Sequence, residues 1–443
     1  MIVAKILDMQ EAIKKIPALF NFVPLHVEDP LGNLPDQFKN MYKYDTDDIV
    51  FYEFLKTQID DNMLSFEFIP IPILSITTPN FRDQQFYLDD MNIEYAHRTP
   101  GGKGENITIV DVEYAWNFEH EDNFYKKGTL LGGTNNDAVS ENKNHGTAVM
   151  GMLCGDNNEL GVLGICPEIN FFGYGQHPIS CIKTIADKLL PGDIILIEFQ
   201  MPGPRYNYIN RPDQLGCVPP EFFDSIFNQI KYATDKGVIV IEGAANGEEN
   251  LDDPIYQRKF DKTFRDSGAI IVGACHNIDK HVATYYTGYG SIVDCHGYGF
   301  GVVTTGYGDL CGPEYNRYYT KQFRGTSSAA PMIAGICACV NGIRKAQGQT
   351  VFTPIEMRDF IKRGAVSCIG DKQIGSWPDF KSLVKILTRF PDYNGDNLVD
   401  FSDFVEFARL YNNQSTVADL NFDGKLDNTD FDKFRLEYYG KQW

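Results

Sequence analysis

Four short apolar runs narrow the folds open to this chain: Ile107-Thr108-Ile109-Val110, Ile194-Ile195-Leu196-Ile197, Val238-Ile239-Val240-Ile241 and Ile270-Ile271-Val272. A strand with one wet face alternates apolar and polar residues, because successive side chains point to opposite sides. These runs lack that alternation, so each predicts a strand buried on both faces, as in a parallel sheet covered by helices. Between the second and third, Glu221 to Lys236 has amphipathic helical spacing and ends at Gly237, which completes a βαβ unit. The expected fold class is α/β, a doubly wound and mostly parallel sheet. Ligands of such sheets bind beyond the carboxyl ends of the strands.

Chemistry-bearing residues fall at such places. Asp111 immediately follows the first run, and Asn246 follows the third after Glu242-Gly243-Ala244-Ala245. His145 is expected on the first turn of a helix beginning at Asn144-His145-Gly146-Thr147-Ala148-Val149-Met150-Gly151. Gly325-Thr326-Ser327-Ser328-Ala329-Ala330-Pro331 runs into the small, apolar Ile333-Ala334-Gly335-Ile336 and predicts a serine at the start of a buried helix. In that reading Gly325 permits a close approach, Thr326 caps and Pro331 occupies the first turn. Taken singly, each residue has a plain structural explanation; an acid, a histidine, an amide and a serine at four element ends point to one site.

Across roughly residues 79–390 the chain resembles the subtilisin-like serine proteases in its order Asp, His, Asn, Ser. His145-Gly146-Thr147 and Gly325-Thr326-Ser327-Ser328-Ala329-Ala330-Pro331 match the family's histidine and serine motifs. Ala245-Asn246-Gly247 is similar to its oxyanion segment with Ala where Gly is usual, and Asp111-Val112-Glu113 departs from the usual Ser or Thr followed by Gly. The resemblance implies a serine endopeptidase in which Ser327 attacks, His145 moves the proton, Asp111 orients the imidazole and Asn246 stabilises the oxyanion. It also implies a substrate cleft beside Ile194 to Gln200 and Met201-Pro202-Gly203-Pro204, where an extended peptide adds as a strand. Residues 1–78 are then expected to form a small α+β propeptide-like domain. Within them, Met9 to Leu19 has helical spacing, and Phe20 to Val27 and Phe66 to Ile76 look extended.

Composition excludes several other classes. The formal net charge of −20 argues against nonspecific nucleic-acid binding, which needs clustered Lys and Arg. No run approaches the roughly 18–20 apolar residues of a membrane-spanning helix, and Asp8, Glu11, Lys14 and Lys15 interrupt any secretory signal core. The ten cysteines show no paired metal spacing, and free thiols are expected, with Cys337 and Cys339 in the buried helix after Ser327.

After Phe390-Pro391 two stretches share one pattern. Asp392, Asn394, Asp396, Asp400 and Asp403 stand at positions 1, 3, 5, 9 and 12 of the first loop, and Asp419, Asn421, Asp423, Asp427 and Asp430 stand likewise in the second. Position 7 of an EF-hand-type loop contributes a backbone carbonyl, here Leu398 and Lys425. Ca2+ is the expected ion. Residues 391–443 resemble a type I dockerin, which implies an α-helical calcium-loop module that binds a cohesin-like partner. The leading expectation is a serine endopeptidase with a calcium-dependent docking tail acting on protein or peptide substrates, with no nucleic-acid or membrane partner. The alternative is a catalytically impaired scaffold of the same fold acting through calcium-dependent protein binding. The loops and the resemblance favour an extracellular location, although no signal peptide is visible.

Overall fold

The computed structural model describes residues 78–389 apart from 124–127, 137, 176–177 and 364, together with four strands and residue 57 in the first 77 residues. Beyond residue 389 it describes 393, 400–415, 418, 420 and 425–440. The chain divides into two compact units, Met1–Thr77 and Thr78–Trp443. In the first, β1 (Ile2–Ile6), β2 (Val23–Pro24), β3 (Met41–Tyr44) and β4 (Met63–Phe68) form an antiparallel sheet in the order β2-β3-β1-β4. The helix expected over Met9 to Leu19 lies outside the described residues. Of the two extended runs, Phe20 to Val27 contains β2 and Phe66 to Ile76 contains the end of β4, and their other residues lie outside the described ones.

The second unit is built on a nine-stranded sheet. In chain order its strands begin with β5 (Thr108–Glu113), β6 (Thr129–Gly133), β7 (Asn170–Gly175) and β8 (Ile194–Ile197). A two-stranded arm, β9 (Met201–Pro202) with β10 (Cys217–Val218), follows. The sheet resumes with β11 (Ile239–Gly243), β12 (Ile270–Cys275) and β13 (Cys295–Tyr298). After a hairpin of β14 (Val302–Thr305) and β15 (Tyr319–Phe323), it ends with β16 (Val366–Ser367) and β17 (Ser376–Trp377). The order is β16-β17-β13-β12-β11-β8-β5-β7-β6, parallel throughout except at the β16–β17 edge. All four apolar runs predicted as strands lie in its middle. Ile194 to Ile197 are at most 1% exposed, so both faces of β8 are covered. Between β8 and β11 the helix Asp224–Asp235 follows a 3₁₀ turn at Pro220–Phe222, and Gly237 takes φ +86° beyond its end.

The chain passes from β5 outward to β6 and β7 on one side, then crosses to β8, β11 and β12 on the other. The reversal opens a crevice at the carboxyl ends of β5 and β8, where open α/β sheets place their ligands. Two helices aim at it. The helix Thr326–Ala346 packs against β5, β8, β11, β12 and β13. By length and composition it could cross a membrane, contrary to the expectation that no such run exists, but its most apolar window is 94% buried within the protein. The helix Ser140–Cys154 packs against it and against β5 and β14. Thr304 and Thr305 of β14 donate their hydroxyls to the carbonyls of Ala148 and Thr147, at 2.7 and 2.6 Å.

All ten cysteines are free thiols. Gly146 shows how tightly the histidine helix is seated, since a Cβ there would stand 2.2 Å from the Ala115 carbonyl oxygen and 2.9 Å from the Trp116 ring. A Gly146→Ala protein is expected to be destabilised by about 1–3 kcal/mol, as overpacked cores are. A thermal or denaturant melt beside the wild type measures this directly.

Candidate active site

Every residue from Thr326 to Arg344 is buried except Ser327, which is half-exposed at the start of the helix. Gly325 precedes it at φ +99°, a conformation that suits a residue without a Cβ. The Gly325 N–H donates to the Gly299 carbonyl at 3.0 Å and to the Tyr286 hydroxyl at 3.2 Å, which fixes the turn. Two expectations are corrected here. Thr326 is not the cap, because Gly325 occupies that position without a side-chain bond. Asn246 Oδ1 takes over the task, accepting the Thr326 N–H at 2.9 Å and its hydroxyl at 3.2 Å. Pro331 lies inside the helix, beyond its first turn. Having no N–H, it cannot donate to the Ser327 carbonyl four residues back.

Asn246 follows β11 through Ala245, which is held at φ +72° where relaxed backbones favour glycine. Its backbone N–H donates to Gln200 Oε1 at 2.6 Å. With Oδ1 engaged by the serine helix, Nδ2 makes no hydrogen bond among the described residues, and Asn246 lines the same cavity as Ser327 and His145. That cavity has a volume of about 670 Å³ and also takes in Tyr285, Tyr286, Tyr307, Phe323 and Arg324. The loop Pro212 to Leu215 also lines it. The segment Met201 to Pro204, expected to border the cleft, contributes the β9 strand and the start of a short 3₁₀ turn and is not among the residues lining this cavity.

His145 sits on the second turn of its helix, which begins at Ser140 rather than Asn144. Its ring packs edge-on to Phe323, the last residue before the serine turn, at 5.4 Å between centroids. The carboxylate at its Nδ1 is Glu113 Oε2, at 2.8 Å, and not the expected Asp111. The physical reason is strand length. β5 continues to Glu113, so Asp111 lies inside the strand, and Glu113, two residues on, projects from the same face one repeat nearer the carboxyl end. Asp111 is fully buried and accepts the Trp116 indole N–H at 2.8 Å.

The two acids are themselves within hydrogen-bonding reach of each other. Burial and then the Glu113 charge push Asp111 well above the ordinary carboxylate range, so it is the neutral member of the pair. Burial also raises Glu113, partly offset by the charge and hydrogen bond of His145. Asp111 Oδ1 and Glu113 Oε1 are both buried without a hydrogen-bond partner among the described residues when each acid is counted as ionised. A single proton shared between the two acids would give both oxygens a partner. Desolvation pulls His145 down, yet the Glu113 charge and hydrogen bond carry it above its ordinary value. The result is a file of Trp116, Asp111, Glu113 and His145 that leads from the core to the cavity.

Glu113, Gln200 and Glu198 were not singled out from the sequence. Glu113 carried a signal in its two-residue spacing from Asp111, and Glu198 in being a charge directly after an unbroken apolar strand. Among the expected metal ligands, Asp392, Asn394, Asp396, Leu398, Asp419, Asn421 and Asp423 lie outside the described residues. Of those described, Asp403 and Asp430 are fully buried, whereas Asp400, Lys425 and Asp427 are exposed. Among the described residues no group of three or more His, Cys, Asp or Glu is gathered for a metal.

Residues 216–402 match the sequence profile of the Subtilase family, peptidase S8. The chain is 26% identical over 280 residues to an alkaline elastase of Bacillus sp., covering 62% of this chain and 63% of the relative. It is 27% identical over 293 residues to a calcium-dependent protease of Trichormus variabilis, covering 56% of this chain and 40% of the relative. The chain thus spans less than two thirds of the length of either. Among solved structures, the PatG macrocyclase domain is similar in fold, with a TM-score of 0.51 and 15% identity over 71% of this chain and 99% of that one.

If Glu113 is what raises His145, the His145 titration followed by NMR should move to lower pH in Glu113→Gln. Asp111→Asn, which replaces a neutral acid by a neutral amide, should leave it in place.

Proposed function

We propose that this chain, which carries a subtilase-family region, is a serine endopeptidase acting on proteins or peptides, with Glu113 and not Asp111 as the acid that serves His145. The observation that carries the reading is the convergence of Ser327, His145 and Asn246 on one cavity, with Glu113 behind the imidazole. The sequence match to the subtilase profile and to proteases supports it independently.

Each residue has work that its surroundings suit. A serine hydroxyl is a weak nucleophile, so His145 accepts its proton as Ser327 attacks the carbonyl and returns that proton to the leaving amine. Glu113 holds Nδ1 so that Nε2 is the basic nitrogen and steadies the imidazolium that forms. Asp111, kept neutral, braces Glu113 by donating to it. Asn246 Nδ2 and the Ser327 backbone N–H, at the positive end of a long helix, stabilise the oxyanion.

The Ser327→Ala protein should melt as the wild type does and lose all peptide hydrolysis and all labelling by a fluorophosphonate. Equal cleavage by the two proteins would remove the serine assignment. Glu113→Gln should lower kcat/KM by ~10²–10⁴-fold. His145 must be neutral to act as a base, so its raised pKa places the acid limb of the wild-type profile above the ordinary histidine value. In Glu113→Gln that limb should move to lower pH.

Residues 391–443 are proposed as a calcium-loop module. The described part of the donor set fits. Asp403 directs one oxygen to the Tyr393 N–H at 2.6 Å and the other to the Asp400 N–H at 2.8 Å, so a buried carboxylate closes the first loop. Asp430 does the same with Leu420 and Asp427, at 2.6 and 3.0 Å. Calcium would be held by the oxygens of the two twelve-residue loops and would supply the charge that their carboxylates need. The calcium dependence named for the Trichormus relative points the same way; the docking role toward a cohesin-like partner rests on the tandem loops alone. Adding millimolar calcium to chelated protein should slow amide exchange across 391–443, and paired Asp403→Asn and Asp430→Asn changes should abolish that response.

A further inference from the structure

A third acid, half-buried with one carboxyl oxygen shut off from solvent, stands at this site without a role in the scheme above. Glu198 directly follows β8, and its backbone N–H donates to the Val112 carbonyl of β5 at 3.2 Å. Because β5 and β8 are paired in register, with Asp111 beside Leu196 and Val112 beside Ile197, the acids of one strand end face the acid of the next. The Glu198 side chain lies within hydrogen-bonding reach of the Ser327 hydroxyl, and its Oε1 is buried with no hydrogen-bond partner among the described residues. An orphaned buried carboxyl oxygen beside a nucleophile calls for an explanation, since leaving one unpaired costs ~1–3 kcal/mol or more.

We propose that Glu198 is a positioning residue for the nucleophile: as a neutral acid it orients the Ser327 hydroxyl and leaves the serine proton to His145, and as a carboxylate it competes with His145 for that proton. This inference rests on the reading of Ser327 and His145 given above. The groups facing Glu198 are Asp111 and Glu113 on β5 and Ser327 on the buried helix. Burial first, and then the negative charges of Glu113 and Asp111, hold it well above the ordinary carboxylate range, with the serine contact opposing them. The sign follows. Glu198 is neutral below its raised pKa, where the serine proton is free to pass to His145. Above it, a carboxylate accepts the Ser327 O–H and adds another negative charge beside Glu113. Reactivity therefore falls on the alkaline side, by roughly tenfold for each pH unit beyond the transition. A residue that merely filled space here would leave no mark on that limb.

The test is the rate of fluorophosphonate labelling of the full chain against pH, for the wild type, Glu198→Gln and Glu198→Met. The expected wild-type profile rises as His145 loses its proton and falls again at higher pH. Both variants should keep the rise and lose the fall. Variant profiles that superimpose on the wild type would overturn the proposal, as would a wild-type profile with no alkaline fall, which needs no variant to fold. Absence of labelling in the wild type at every pH would instead overturn the serine-protease reading.

Discussion

The helix from Thr326 to Ala346 is the piece on which the site depends. It lies across five strands of the central sheet, and its burial is possible only because small residues let backbone approach backbone. At Gly342 an added Cβ would stand 2.2 Å from the Gly101 carbonyl oxygen, and at Gly335 2.4 Å from the Ile165 side chain. Interiors packed this closely transmit any shift, so the helix has one seat. Its first turn emerges at the crevice where the strand order reverses, and Ser327 is the residue that reaches solvent there. The backbone N–H groups exposed at that end are partly satisfied by Asn246, which ties the end of β11 to the serine turn.

A second constraint is electrostatic. Parallel pairing of β5 and β8 brings the buried Asp111 and Glu113 and the half-buried Glu198 to adjacent strand ends, and the His145 imidazole bonds to Glu113. Buried like charges disfavour ionisation, so the set cannot all be carboxylate. Glu113, bonded to His145, is the member best placed to keep its charge. Burial and the neighbouring carboxylates push Asp111 and Glu198 well above the ordinary carboxylate range, against the opposing hydrogen bonds of Trp116 and Ser327. Proton placement, and not only residue identity, then sets what the serine can do.

Most of the architecture was legible in the chain. Apolar runs without alternation marked β5, β8, β11 and β12, because strands covered on both faces have no wet side to pay for. The serine and histidine segments were recognisable from local motifs. The errors lie where a boundary had to be placed. The histidine helix starts four residues earlier than its motif suggests, since its exposed or half-buried first turn, Ser140 to Lys143, carries little apolar signal. The serine helix is capped by Asn246 from a distant strand end, which no local pattern could reveal. The segment from Met201 to Pro204 is tied to the β10 arm by pairing of Pro202 with Cys217 and by the Gly203 N–H to the Gly216 carbonyl, contacts that no local pattern reveals.

What the sequence alone determined is the set of residue types and their places near element ends. The apolar run put an acid at a strand end, and the Gly-Thr-Ser turn ahead of a small, apolar helix presented a serine. What only the tertiary structure decided is which carboxylate meets His145, and that a third stands at Ser327. Those outcomes depend on how far β5 runs before it leaves the sheet, on where the histidine helix docks against it and on the register between β5 and β8. Each is set by contacts between segments far apart in the chain, so none is written in the residues around Asp111.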